Sequence, residues 1–349
     1  MQKFKQNFRF SPINMPYMKS IGLVVLVLIL ALVPIFMDDP YFLHLLITAG
    51  MNATLAMTFI LLLRVGLIAL TQAAFWGIGA YASAILVMRL GLPFWLALPA
   101  AGIIAGIVGL LLGFVVVRVT GFGFLLQTAV FSMVIVLVFG NLDLFGGYVG
   151  LVEIPRPNPI TLPFIAKIEF VGKAPYYYLM LFLFVLVSAV LSAFYAAWTG
   201  RSWRAIGLSP RLAESLGVNL FRYRLLAFVI MSVICGLIGS FYAHFFGALT
   251  PNTFNIFKTI NIHIYAILGG LDFVLLGPAI GALILTIVPE ILRVAKEVEP
   301  IFTGALIILL ILFLPGGLLS LGRGIPRASE GIARAGKWMK AVLRGSKEV

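Results

Sequence analysis

The chain has 349 residues, 62% of them hydrophobic and 11% charged, with a formal net charge of +13 and a mean hydropathy of +1.12. These values lie far outside a soluble domain and are those of a polytopic helical membrane protein. Ten-residue alternating strands are absent, which argues against a transmembrane barrel, and the single cysteine, Cys235, excludes an internal disulfide or a cysteine metal cluster.

Apolar runs of about 20 residues, long enough to span a bilayer, recur from end to end. In chain order they predict ten spans: 20–37, 41–63, 66–88, 93–117, 122–141, 176–199, 225–248, 256–271, 274–294 and 300–321. The opening 36 residues look superficially like a signal peptide. Asp38, Asp39 and Pro40 stand where a small-residue cleavage motif would be, so residues 1–19 read as a basic tail and the first span as retained. The transmembrane region then runs 20–321, followed by a tail at 322–349. Gly102 and Gly106, Gly109 and Gly113, and Gly277 and Gly281 form small-xxx-small pairs that let helices approach, though such pairs are common in any glycine-rich membrane helix. The eighth span is short and carries Asn261 and His263, which makes it the least secure.

Positive charge sets the expected orientation. With both ends inside, the cytoplasmic side holds Lys3, Lys5, Arg9, Lys19, Arg64, Arg118, the five arginines of 200–225 and seven tail residues. The outer side holds only Arg89, Arg156, Lys167, Lys173, Lys258, Arg293 and Lys296, roughly balanced by acids. The basic excess thus reflects topology, and nucleic-acid binding need not be invoked. The tail sets Ile332, Ala335, Met339 and Leu343 against Arg334, Lys337, Lys340 and Arg344. That pattern suits a helix lying on anionic lipid, with a solvated tail as the alternative. The long outer segment 142–176 carries Gly146, Gly147 and Gly150 and then Pro155, Pro157, Pro159 and Pro163. It reads either as a ligand-approaching gate or as a turn before a surface strand.

Sites for chemistry are scarce. Residues 331–337 spell GxxxxGK, but Trp338 occupies the position that would hold magnesium and no strand precedes it. His44, His244 and His263 lack ligand spacing, and no Ser/His or paired-carboxylate constellation supports an intramembrane enzyme. The spans also lack mid-depth acids, which counts against an ion-coupled secondary transporter. Energy is therefore expected from outside the chain.

The charged island at 200–224 offers the connection. An arginine at a bilayer centre costs about 3 kcal/mol, so Arg201, Arg204, Arg211, Arg222 and Arg224 place this stretch outside hydrocarbon. Ser209 fits an N-cap, Pro210 the first helical position, and Gly217 the residue after the end, which predicts a two-turn helix at 210–216. Leu212, Ala213 and Leu216 are expected on one face, with Arg211 and Ser215 on another. Docking into a partner's groove would stabilise so short a helix; an ordinary amphipathic connector is the competing reading.

The stretch 200–228 resembles the ATPase-coupling loop of the permeases of branched-chain amino-acid ABC importers, LivM type, and the resemblance covers about 50–321. Residues 74–86, 146–151, 268–285 and 314–319 match further family segments. The family's Glu and first Ala are missing before Arg211-Leu212-Ala213, and Thr71-Gln72 and Phe122-Gly123-Phe124 replace its more polar pairs. The resemblance implies an all-α polytopic protein of about ten transmembrane helices, both ends cytoplasmic, built like a type II ABC importer permease with a cytoplasmic coupling helix. It implies that Ser209, Pro210, Arg211, Leu212, Ala213, Glu214, Ser215, Leu216 and Gly217 couple to an ATPase. The translocation path or gate would run past Gln72, Phe75, Gly77, Gly79, Tyr81, Phe122, Phe124, Gly146, Gly147 and Gly150. The implied partners are a second permease, two cytoplasmic ATPases that hold the ATP and magnesium, a periplasmic or lipid-anchored binding protein, and membrane lipid. This chain itself would hold no cofactor. The implied location is the cytoplasmic membrane of a bacterium or archaeon, with branched-chain amino acids, urea, amides or aromatic acids as cargoes.

Overall fold

The computed structural model describes residues 30–34, 39–162, 165–292, 304, 317 and 318. The tail at 1–19, most of the first span, the tenth span and the tail at 322–349 lie outside the described residues. Ten helices are named here: α1 (Pro40–Arg64), α2 (Gln72–Met88), α3 (Phe94–Val116), α4 (Phe122–Asn141), α5 (Lys173–Ala196), α6 (Trp198–Leu208), α7 (Pro210–Ser215), α8 (Leu220–Phe246), α9 (Ile256–Gly269) and α10 (Leu276–Leu292). Five of them, α1, α3, α4, α5 and α8, are long and apolar enough to cross a bilayer.

Helix α1 is the axis of the molecule. Asp39 caps it through Tyr41 N at 2.9 Å and Pro40 pre-sets its first φ. It is buried on every side, enclosed by α5, α8, α9 and α10. Asn52 reaches Thr286 of α10 at 3.2 Å, and Thr58 lies 3.8 Å from the buried Cys235 of α8. Tyr177 of α5 donates to the Leu30 carbonyl at 2.8 Å, which seats the described end of the first span.

The most extensive packing is α8 against α2 and α3, and glycine makes it possible. A Cβ on Gly79 of α2 would fall 2.2 Å from the Gly236 carbonyl oxygen. Gly102, Gly106, Gly109 and Gly113 of α3 all turn to α8, where Leu237, Val233, Ser232 and Leu225 occupy the space of their missing side chains. Gly277 and Gly281 do the same for α10 against α9. All three small-xxx-small pairs are therefore packing seams. The outer faces of α3 and α4 expose Ile103, Leu111 and Val115, and Phe122, Val130 and Leu137, as a lipid-facing or subunit-facing surface must.

The outer segment is tied down. Residues 143–145 form a 3-10 turn, and Gly146, Gly147 and Gly150 all take positive φ (78°, 59°, 82°). Leu151 and Leu249 exchange both backbone hydrogen bonds, at 3.0 and 2.7 Å, and Ile154 N donates to Gly247 O at 3.0 Å. Asn158 accepts from Phe94 N and its carbonyl from Trp95 Nε1, both at 3.1 Å. A small antiparallel hairpin, β1 (Ile160–Leu162) with β2 (Ile165–Ile168), follows, so the all-α expectation gains one surface ribbon.

Candidate functional site

The charged island folds into two helices where the sequence pointed to one. Helix α6 precedes the expected element; it buries Trp203 and Ile206, and Trp203 Nε1 donates to the Tyr223 carbonyl at 3.0 Å. Its charges pointed the sequence reading to a loop, yet they suit a helix whose Arg201 is exposed and stacked over Trp198 at 4.8 Å while Trp203 and Ile206 turn inward. Ser209 then ends α6 and caps α7, accepting from Leu212 N at 3.4 Å. At the far end Gly217 N bonds Glu214 O at 2.9 Å and Val218 N bonds Ala213 O at 3.0 Å. This is a Schellman closure, and it requires the positive φ of 82° that Gly217 supplies.

The faces of α7 differ from the sequence expectation. Ala213 alone is buried, whereas Leu212 is 62% exposed and Leu216 74% exposed. Packing of α6 and α8 decides which side of so short a helix turns inward. Two leucines are thereby left facing outward beside Arg211, Glu214 and Ser215. Beside them a cleft of about 560 Å³ is lined by Val117, Arg118, Glu214, Gly217, Asn219 and Arg224, among others.

This corner is braced against the end of α1. A Cβ on Gly207 would lie 2.4 Å from the Arg64 carbonyl oxygen, and Arg224 Nε donates to Val65 O at 3.4 Å. Residues 65–71 then run without helix, because Gly66 at φ 73° closes α1. The third expected span therefore begins late, at Gln72. The link is buried at Val65, Leu67, Ala69 and Thr71 and exposed at Gly66 and Ile68, and side chains satisfy part of its backbone. Thr128 Oγ1 accepts from Leu70 N at 3.0 Å, Ser132 donates to Leu70 O, Thr259 Oγ1 accepts from Ala73 N at 3.0 Å, and His263 donates to Ala69 O.

The named path residues fall into separate groups. Gln72, Phe75, Gly77, Gly79 and Tyr81 are all buried on α2. Phe75 packs on Phe131 and Phe228, Gly77 meets Phe254 and Phe139, and Tyr81 lies among Phe139, Phe145 and Phe254. Phe124 is buried on α4 near Phe228, while Phe122 on the same helix is exposed. Gly146, Gly147 and Gly150 sit at the opposite end, beside Leu249. Among the described residues, Thr71 Oγ1, both amide atoms of Gln72, Trp76 Nε1, Tyr81 Oη and His263 Nε2 are buried without a hydrogen-bond partner.

Lys258, which the sequence set on the outer side, packs beside the start of α2. Arg224 and His244 of α8 stand about 30 Å apart at 1.5 Å per residue, one hydrocarbon thickness. Between them, Phe75 packs on Phe228 at 5.6 Å and Gly239 backs onto the Trp76 carbonyl, so the first turn of α2 lies near mid-depth. After α8 the 3-10 turn Pro251–Phe254 packs Phe254 on Tyr242 and Trp76, and α9 starts beside it. Lys258 Nζ lies 5.7 Å from the Trp76 ring centre. At 14 residues α9 is shorter than a full span needs, which a hydropathy window does not register. The available signal was the shortness of the eighth apolar run beside Asn255, which caps Lys258 N at 3.0 Å.

Comparison with known proteins agrees with this architecture. The family described as branched-chain amino acid transport system / permease component matches residues 41–315. The chain is 29% identical over 311 residues to the high-affinity branched-chain amino acid transport system permease protein LivM of Escherichia coli K12, covering 83% of this chain and 71% of that protein. It is 27% identical to the LivM protein of Salmonella typhimurium over the same shares. No solved structure matches. A buried axial helix, glycine seams and a braced charged corner thus sit on a sequence matched across most of its length, and the chain belongs to the family of LivM-type permease components of branched-chain amino acid transport systems.

Proposed function

We propose that this chain is the membrane permease subunit of an ATP-driven ABC importer, carrying branched-chain amino acids or a related small polar solute by alternating access. Its partners are a second, related permease, two cytoplasmic ATPases and a binding protein on the outer side, in a bacterial or archaeal inner membrane. ATP and magnesium belong to the ATPases. The observation that carries the reading is α7, a capped and Schellman-closed two-turn helix that turns Leu212 and Leu216 outward, held between α6 and α8, which in turn meet the end of α1 through Gly207 and Arg224.

Completing the burial of the two leucines is worth about 2–4 kcal/mol, enough to change docking affinity by roughly 30- to 1,000-fold. Because that energy differs between two ATPase arrangements, it shifts the permease between two states. The test is co-purification of the ATPases and uptake in proteoliposomes with Leu216→Asp and Gly217→Pro. Both variants are expected to insert and to lose ATPase association and transport. Full association and uptake in either one would refute the docking assignment. Uptake by the isolated chain driven by an ion gradient would refute the ATP-driven reading itself.

A further inference from the structure

We infer that the cleft between α3, α7 and α8 is a phospholipid site that takes a phosphate and a primary amine together, the headgroup of phosphatidylethanolamine. The inference does not depend on the cargo. It needs only that α3 and α8 cross the bilayer, for which both are long and apolar enough. At about 560 Å³ the cleft lies in the range of small-ligand sites, and its wall carries both signs of charge, Arg118 and Arg224 with Glu214.

All three of these side chains have open bonding capacity. Arg224 is nine-tenths buried and bonds only through Nε, to the Val65 carbonyl at 3.4 Å. Arg118 is exposed and bonds only through Nε, to the Phe114 carbonyl at 3.2 Å. The terminal amino groups of both arginines have no acceptor among the described residues, and the Glu214 carboxylate has neither a donor nor an ion pair there. Glu214 nevertheless acts on Arg224 electrostatically across the cleft that both line. Planar guanidinium forks fit phosphate oxygens. The carboxylate fits an ammonium on the short arm that ethanolamine provides. Phosphate alone would leave Glu214 facing a like charge, and a choline nitrogen has no N–H to donate to it.

The approach to the cleft is that of a lipid. Arg118 follows the last residue of α3, Val116, by two positions, at the level where hydrocarbon gives way to headgroups. Its guanidinium lies 4.9 Å from the Phe114 ring centre and 5.4 Å from that of Phe221. Phe114, Leu111 and Ile107 continue the same stripe back along α3 at helical spacing, and all three are exposed. An acyl chain lying on this stripe brings its own phosphate to Arg118. Basic clefts between spanning helices at the membrane surface bind headgroups in this way. A carboxylate from a docked ATPase is the competing occupant beside α7, and Glu214 would repel it.

The test titrates dioleoyl phosphatidylethanolamine, phosphatidylglycerol and phosphatidylcholine onto the full chain in mild detergent, alone and with its ATPases and second permease. Bound lipid is counted by native mass spectrometry. The wild type is expected to bind phosphatidylethanolamine about tenfold more tightly than either other lipid. Arg118→Gln, at an exposed position, is expected to lose that preference. Glu214→Gln is expected to bind phosphatidylglycerol at least as tightly as phosphatidylethanolamine. Equal binding of the ethanolamine and choline lipids by the wild type would overturn the site, as would an unchanged preference in either variant. Tighter wild-type binding of phosphatidylglycerol would overturn it in favour of a purely anionic headgroup. Release of phosphatidylethanolamine when the ATPases or the second permease associate would overturn it too, giving the cleft to a subunit contact.

Discussion

Gly79→Ala is the sharpest test of how the helices are held. The added methyl would sit 2.2 Å from the Gly236 carbonyl oxygen and 2.3 Å from Gly236 Cα. Both atoms are backbone in the middle of α8, so no side chain can rotate away. The helices must part by about 1 Å to restore ordinary contact, along a seam that also packs Gly239 on Trp76 and Ala80. Overpacking of a well-filled interior costs about 1–3 kcal/mol, and the upper end applies where backbone must move. Parting α2 from α8 also stretches the Ser240–Ser83–His244 chain, whose links are 2.7 and 3.0 Å. The variant is therefore expected to lose about 3 kcal/mol in reversible unfolding in mixed micelles. Gly172→Ala, where no atom lies within 4 Å of the added carbon, serves as the control and is expected to be neutral. Equal stability of the two variants would refute the close-approach argument.

Two further outcomes follow from single hydrogen bonds. Ser209→Ala removes the cap of α7 and is expected to cost about 1 kcal/mol locally, read as roughly fivefold faster amide exchange at Leu212 and Ala213 with unchanged exchange in α8. His244 Nδ1 lies 2.6 Å from the Pro155 carbonyl, which can only accept, so Nδ1 carries the proton and Nε2 accepts from Ser83. His244→Ala breaks both contacts and is expected to expose residues 150–159 to protease about tenfold faster in outside-facing vesicles; unchanged cleavage would show that the Leu151–Leu249 pairing alone holds the segment.

What was legible in the sequence was whatever its own neighbours decide. Ser209, Pro210 and Gly217 announced α7 because caps and closures are made within a few residues. The spans of α1, α3, α4, α5 and α8 were legible because an apolar run of that length has few other uses. Tertiary decisions were not legible. The inward turn of Ala213 depends on α6 and α8, and the glycine pairs showed that something approaches without showing that α8 does. The neighbour of Lys258 was hidden for the same reason: Trp76 is 182 positions away in sequence, and no local pattern encodes their proximity. Residues 66–71 look apolar enough to be helix. Gly66, together with hydroxyls from α4 and α9, makes the unwound form the satisfied one.

That unwound link gives the proposed mechanism a place to act. A helix resists shear because every residue is held by backbone bonds, whereas in 65–71 only the first three N–H groups are held that way and Leu70 and Val65 are held by the side chains of Thr128, Ser132 and Arg224. Each such bond has a net worth of only about 1 kcal/mol, within reach of the 2–4 kcal/mol that docking of Leu212 and Leu216 supplies. Force on α7 reaches the link by a short route, through α6 to Gly207 on the Arg64 carbonyl and through Arg224 to Val65. From Val65 the chain needs only the remainder of the link to reach Gln72 at the start of α2, and Thr259 joins that start to α9. A displacement at the charged corner therefore arrives at the start of α2 as a change in how α2 and α9 pack on each other.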